Sequence, residues 1–567
     1  MQSSDSSWAP FHVVRHHNIP DKVFEHLNAG EVFTKLGLFA EIGYAWASID
    51  SSLFLWDYTH PNPELIGYEE ATHTITAVAL VPPKPGVFVK TITHVLVVAT
   101  TSEIILLGVS ATPTPSGSKS LTLYSTRMSV HRGGSDVSFI VGTKDGRIFL
   151  GGESDTDIHE IFYQQEERWF SSRCGKINHS HPGWSAVVAS LAGLPFGSRQ
   201  QEWLRGLYVD DTRNLLYSLS NRSTIRTYHM EGPEKLTKVI EKDKTSCLRD
   251  FAHMADSSPL FTDKTNIVAL SPIPATEASK LHLMALTDTG CRLFLSATSS
   301  ASYTMGGATS LAPQSMQLQF VKFPPRESPT RIRTLNGQII DSQLDKTSRA
   351  LDPSALGFRF SPGYFFDVVR KHPNQDMLFV SAPDTGRIKV TQPASALKYF
   401  EQGTWIELEN GNRTIEIGLT TAPFAAAKQP LGFGNELAVQ FDQVPGEFAV
   451  LTNTGVHIVR RRRLVDIFAK ALGNCVSASD DALEREVRKF INQYGRVETI
   501  AAALAVACGQ GSDLRTGTGR GMDRNTENLA RAAFIEYGGQ PRLAESDGKQ
   551  SVSESVRLSS RHDALAL

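Results

Sequence analysis

The sequence predicts an all-β propeller followed by the start of an all-α solenoid, in a chain of 567 residues. Two observations predict the propeller: a strand, turn, strand unit recurs about seven times before residue 460, and its turn residues are interchangeable. A third predicts the solenoid, because beyond residue 460 strand alternation gives way to the three-and-four spacing of amphipathic helices.

The units are AWASIDSSLFLWDY (45–58), HVLVVATTSEIILLGV (94–109), FIVGTKDGRIFLGG (139–152), LYSLSNRSTIRTYHM (216–230), LMALTDTGCRLFLS (283–296), LFVSAPDTGRIKV (378–390) and FAVLTNTGVHIVR (448–460). Each joins a run of Val, Ile, Leu and Phe to a second, alternating run through three or four turn formers, the pattern of a β-hairpin. Short antiparallel strands repeating in this way build four-stranded blades whose radial closure leaves few exposed edges. Seven blades is the count, with six or eight left open by the uneven spacing. The longer intervals hold insertions at 171–200, 231–262, 296–312 and 324–357. The propeller is therefore assigned to 37–460. It follows an N-terminal segment, 1–36, whose His12, His16, His17 and His26 are expected to be solvated.

Two of the turns read Asp-Thr-Gly, at Asp288 and Asp384, the triplet on which aspartic proteases build a pair of carboxylates sharing one proton. The equivalent turns read Lys144-Asp145-Gly146, Asn221-Arg222-Ser223 and Asn453-Thr454-Gly455, so an aspartate is not required there. Cys291 and Arg387 also stand where a protease would want Ser or Thr. Both triplets are thus expected to be hairpin turns, where Asp and Gly tolerate positive φ and bond locally.

In 461–567, Leu464, Ile467, Phe468, Ala471 and Leu472 form one apolar stripe, and Leu483, Val487, Phe490 and Ile491 form the next, with Asp480 placed to cap the second helix. Such helix pairs resemble the start of an α-solenoid. The closing RHDALAL leaves its apolar pattern unfinished and reads as part of something longer. Arg460 to Arg463 read as the solvated end of the propeller rather than as a nuclear import signal.

The charge is nearly balanced, 57 basic against 59 acidic residues, so no nucleic-acid partner is predicted. Five cysteines at irregular spacing suggest free thiols in a reducing compartment, and no apolar run is long enough to span a bilayer. Cys174, His179 and His181 lack the paired cysteines of a zinc site, and GTGRG (517–521) lacks the strand and Gly-Lys-Ser/Thr of a phosphate loop. No catalytic residue, cofactor or metal is assigned.

One insertion differs in kind. In NHSHPGWSAVVASLAGLPFGSRQ (178–200), Trp184, Val187, Val188 and Leu191 share a helical face continued by Leu194 and Phe196. The opposite face carries Ser185, Ala189 and Ser190, and no charge occurs from Pro182 to Ser198. Such a segment suits the interface of a curved bilayer, binding through apolar insertion rather than head-group charge. Its alternative is a helix packed on the propeller wall.

GLFAEIGYAWASIDSSLFLWDYTHPNPELIGYEE (37–70), then VPPKPGVF and THVLVVATTSEIILLGV, with RCGKINHS and FSPGYFFDV at their spacing, resemble the large non-FG scaffold nucleoporins of the nuclear pore inner ring. This is the family of the fungal nucleoporin one-seventy and the vertebrate nucleoporin one-fifty-five. The resemblance runs from about Asn18 to the C-terminus. It implies a seven-bladed propeller followed by an α-solenoid, a structural role in nucleocytoplasmic transport without catalysis, and residence at the nuclear pore complex of the nuclear envelope. It also implies linker and other inner-ring nucleoporins as partners, and peripheral membrane contact through 178–200. A soluble propeller-solenoid adaptor of a vesicle coat or chromatin complex is the alternative function, and an aspartic protease the remote one.

Overall fold

The computed structural model describes residues 8–27, 32–114, 119–165, 173–180, 201–254, 258–298, 312–325, 349–372, 375–391, 396–408, 411–422, 434–441, 443–476, 481–511 and 523–538, with two short strand pairs within 332–340 and 545–550. Seven four-stranded antiparallel sheets follow one another as the blades of a propeller. The first strands of consecutive blades lie side by side around the centre, and blade seven meets blade one.

Each of the seven repeat units falls in a different blade. In blade two the inner strands Ile75–Val81, His94–Thr100 and Glu103–Pro113 are joined to an outermost strand, Lys119–His131. Val95 to Ala99 are all buried, although strands with one wet face alternate, because a blade is covered on both faces by its neighbours. The outermost strand alternates and is largely exposed. This polarity gradient explains the insertions: three of the four predicted stretches contain strands. Cys174–Asn178 is the outermost strand of blade three, Lys235–Lys242 that of blade four, and Ser354–Phe360 opens blade six. Between blades four and five, helix α2 (Lys244–Met254) buries Cys247 and Phe251 against the core, whereas α1 (Asp21–Leu27) seats Val23 by blade one.

Blade seven corrects the reading of the N-terminus. Its outermost strand is Phe11–Asn18, paired from Phe11↔Arg461 to Asn18↔Gly455. His12, His16 and His17 are accordingly half-buried rather than solvated, and His16 stacks on His457 with ring centroids 4.0 Å apart. The physical reason is cooperative: a blade edge needs a strand, and Phe11, 2% exposed, docks edge-on among Tyr364, Phe366 and Phe448. The His26 side chain lies outside the described residues.

After blade seven come α4 (Leu464–Cys475), α5 (Ala482–Tyr494), α6 (Arg496–Ala507) and α7 (Arg524–Tyr537), preceded in sequence by the short α3 (Gly434–Val439) within blade seven. All five residues of the first predicted stripe are buried, as are Val487 and Phe490 of the second, and the four helices share one core. Asp480 lies outside the described residues; the residue before α5 is Asp481, whose side chain makes no capping bond.

Candidate functional site

The six residues predicted to meet a membrane, Trp184, Val187, Val188, Leu191, Leu194 and Phe196, fall in 181–200, outside the described residues. What the structure describes is the base from which that stretch departs. Blade three ends with Cys174–Asn178, and the chain returns at Gln201 to begin the first strand of blade four, Leu204–Asp210. Both ends fasten to the bend 154–158. On the outgoing side His179 N donates to Ile158 O (2.9 Å), Ile158 N donates to Ser180 Oγ (3.0 Å) and Asn178 Nδ2 donates to Asp157 Oδ2 (2.9 Å). On the returning side Gln201 Nε2 donates to Ser154 O (2.6 Å) and Leu204 N to Asp155 O (2.8 Å). The insertion therefore starts and finishes at one corner of the propeller.

Ion pairs set that corner rigidly. Arg147 grips both oxygens of Glu160 at 2.7 Å and reaches across to Gly232 O of blade four, while His179 Nε2 sits 2.7 Å from Glu160 Oε2. Burial alone would push the Glu160 carboxyl up, but the hydrogen bonds from Arg147 and His179 outweigh it and hold the group below the usual range. On the returning side Arg226 binds Glu202 through both carboxylate oxygens, at 3.0 and 3.1 Å, and Glu241 at 3.1 Å. Removing one partner of the buried Arg147–Glu160 pair would leave an uncompensated charge, which typically costs several kcal/mol.

Two residues of the zinc reading lie at the same corner. Cys174 packs towards the core between blades two and three, where burial pushes its thiol up to about 12, and His179 is engaged by Glu160. His181 and GTGRG lie outside the described residues. Among the described residues no three His, Cys, Asp or Glu side chains gather as a metal site would require, and no helix is long and apolar enough to cross a membrane.

The two Asp-Thr-Gly triplets part company. Asp288 to Gly290 form the expected turn between Leu283–Thr287 and Arg292–Thr298: Gly290 N donates to Thr287 O, Gly290 has φ +80°, and Asp288 Oδ2 accepts from Asn266 N and Nδ2, each at 3.1 Å. Asp384 is not in a turn. It lies inside the long strand Gln375–Thr391 of blade six, buried, where Gln402 Nε2 donates to it and to Tyr494 Oη of α5, both at 2.8 Å. Burial pushes the Asp384 carboxyl up to about 6, only partly offset by Arg387 and Arg461. Thr385 donates to Glu436 of α3, and a Cβ on Gly386 would lie 2.6 Å from the Tyr494 ring. The strand leans on the helices, and that tertiary contact overrides the turn signal. The carboxylates occupy separate blades with separate partners, so they do not form the proton-sharing dyad of a protease.

The arginine run was likewise misread as solvated. Arg461, Arg462 and Arg463 are all buried. Arg461 binds Glu436 through Nε and Nη2, each at 3.1 Å, and donates to Pro10 O and Pro383 O. Arg463 pairs with Asp466 at 2.7 and 2.9 Å in the first turn of α4. Trp8 completes the junction: its indole donates to Glu486 (2.9 Å), lies 5.1 Å from Phe490, and carries Lys489 Nζ 4.4 Å over its ring. Sequence periodicity gave no sign of these partners, which sit on elements far apart in the chain.

With this geometry in place, the likenesses to known proteins can be stated. A family model described as Nup133 N terminal like matches residues 7–458. A probable nucleoporin of Schizosaccharomyces pombe is 32% identical over 99% of this chain, and the nuclear pore complex protein Nup154 of Drosophila melanogaster is 29% identical over 92%. The nucleoporin NUP170 of Saccharomyces cerevisiae is 27% identical over 88%. The chain spans 44%, 36% and 36% of the lengths of these relatives. A crystal structure of the Chaetomium thermophilum Nup170 NTD–Nup53 complex superimposes with a TM-score of 0.86 at 92% identity, covering 100% of this chain and 75% of that one.

Proposed function

We propose a function from the premise that the chain belongs to the Nup133 N-terminal-like family and is an inner-ring scaffold nucleoporin of the nuclear pore complex, at the nuclear envelope. Its role is structural: it supports nucleocytoplasmic transport by holding other nucleoporins and by touching the nuclear membrane peripherally. The propeller unit comprises 37–460 completed by the strand Phe11–Asn18, and 461–567 begins an α-solenoid; the shared core of α4 to α7 supports this division. Linker and other inner-ring nucleoporins are its partners, a reading supported by the Nup53 in the complex of the similar Nup170.

The observation that carries the membrane reading is the fixed base of 181–200. The run from Pro182 to Ser198 is apolar and without charge, and the chain leaves and re-enters the described propeller at one corner, which supports a segment free to meet a bilayer. Full burial of one large apolar side chain is worth ~1.5–3 kcal/mol, which suits reversible attachment. Flotation with small, highly curved vesicles tests this. Wild type should float with neutral lipid and resist moderate salt, whereas Val188→Asp with Leu191→Asp should remain folded and stay in solution. A double variant that misfolds, or a wild type that ignores vesicles, would assign the stretch to the propeller wall.

A further inference from the structure

We propose that Trp203, with Arg205 and Arg222 beside it, is a second point of contact with the bilayer, reading the head-group layer while the insertion enters the apolar region. This rests on the membrane reading above and extends it to residues outside the insertion.

Trp203 is the third residue after the chain returns, and it is 38% exposed although Leu204 next to it is fully buried. Its backbone is not free to hide the ring: Trp203 N donates to Asn221 Oδ1 (3.1 Å) and Asn221 N donates back to Trp203 O (3.0 Å). The Trp203 backbone is thereby held beside the Asn221-Arg222-Ser223 turn, whose Ser223 adopts φ +62°. The next residue but one, Arg205, occupies an irregularity in the strand pairing between Leu204 and Gly206, and such a bulge re-aims a side chain; Arg205 is exposed, as is Arg222.

An indole with one apolar body and one polar N–H, flanked by arginines, is the composition that settles at a membrane–water interface. Its position at the foot of the insertion commits it to the same bilayer: whatever surface the insertion enters, the fixed corner arrives with it. The insertion itself carries no charge from Pro182 to Ser198, so a preference for anionic head groups at this corner would come from its flanks, where Arg205 and Arg222 are exposed.

The test uses the 567-residue chain in flotation with phosphatidylcholine vesicles and with vesicles also holding phosphatidylserine. Trp203→Ala should weaken binding to both about tenfold, and Trp203→Phe should restore most of it. Arg205→Glu with Arg222→Glu should leave neutral vesicles unaffected. On anionic vesicles it should remove an enhancement of about fivefold per arginine, the part of binding that salt also removes. Thermal melting checks that each variant folds. If Val188→Asp with Leu191→Asp abolishes flotation while Trp203→Ala and the arginine pair float like wild type on both vesicles, the membrane reading stands and this contact is wrong. If wild type fails to float, both fall.

Discussion

At residues 288–290 the chain reads Asp-Thr-Gly and turns between two strands of blade five; at 384–386 it reads Asp-Thr-Gly again but stays within one strand, bulging from the ladder between Asp384 and Lys389 and braced against α5. The first copy finds its partners locally, in Asn266 and in its own turn. The second takes them from Gln402, Glu436, Arg461 and Tyr494, on elements that meet only once the propeller has closed and the helices have docked. The same three residues thus serve the geometry of one blade in one place and a domain junction in the other, and what separates them is the element each is buried against.

The comparison breaks most sharply at Arg461. Arg461→Ala leaves Glu436 buried without its guanidinium and is expected to cost ~3–5 kcal/mol in urea unfolding. The junction should loosen, read as faster hydrogen exchange in Ala482–Tyr494, while exchange at Leu283–Thr287 stays unchanged. Next come the two glycines. Gly290→Ala forces a side chain into φ +80° and against Leu351 Cβ at 2.3 Å, expected to cost ~2–4 kcal/mol felt in blade five and at the entry to blade six. Gly386→Ala meets only side chains, the Tyr494 ring and Leu464, so ~1–3 kcal/mol is expected, with the exchange signal in α5 instead. If both variants perturb blade five alone, the junction role of the second triplet is wrong.

Smaller effects separate the aspartates. The folded carboxyl of Asp384 titrates near 6, above its unfolded value, so the fold favours the protonated form. That contribution is fully present below about pH 4 and is lost as pH rises through 6. It amounts to ~3 kcal/mol at most for a shift of about two units. Asp384→Asn cannot ionise and should flatten this decline, which urea midpoints at pH 4.5 and 7 would measure; an unchanged slope would refute the buried carboxyl. Asp288→Asn keeps an acceptor for Asn266 and should stay within ~1 kcal/mol at either pH.

Much of the blade order was legible because buried middle strands read as apolar runs: Val95 to Ala99 and Leu283 to Leu286 announce themselves. Six of the seven repeat units are hairpins within single blades, and the stripe from Leu464 to Leu472 faces the helical core as its spacing requires. What escaped was set by contacts between distant residues. No local signal links Phe11 to Arg461, Arg463 to Gln440, or Asp384 to Tyr494, so a closing strand read as a tail, buried arginines as solvated and a brace as a turn. Outermost strands such as Lys235–Lys242 were lost in supposed insertions because half of each faces water. Of the corner between blades three and four, the apolar stripe was visible in sequence, but the Arg147–Glu160 clamp beneath it was not.

The closing strand has a mechanical meaning. Tension drawn through α4 reaches the propeller at Arg461, the very residue paired with Phe11, and acts along the ladder rather than across it. A pull in that direction loads the hydrogen bonds from Phe11 to Asn18 together, as lap joints carry shear, whereas a pull on the N-terminal end across the sheet would peel them one at a time. The ring should therefore resist extension between residues 20 and 464 far better than peeling from residue 8, a contrast that single-molecule pulling from those points would register. Any load delivered through α4 would therefore meet the seam of the hoop in the orientation that bears it.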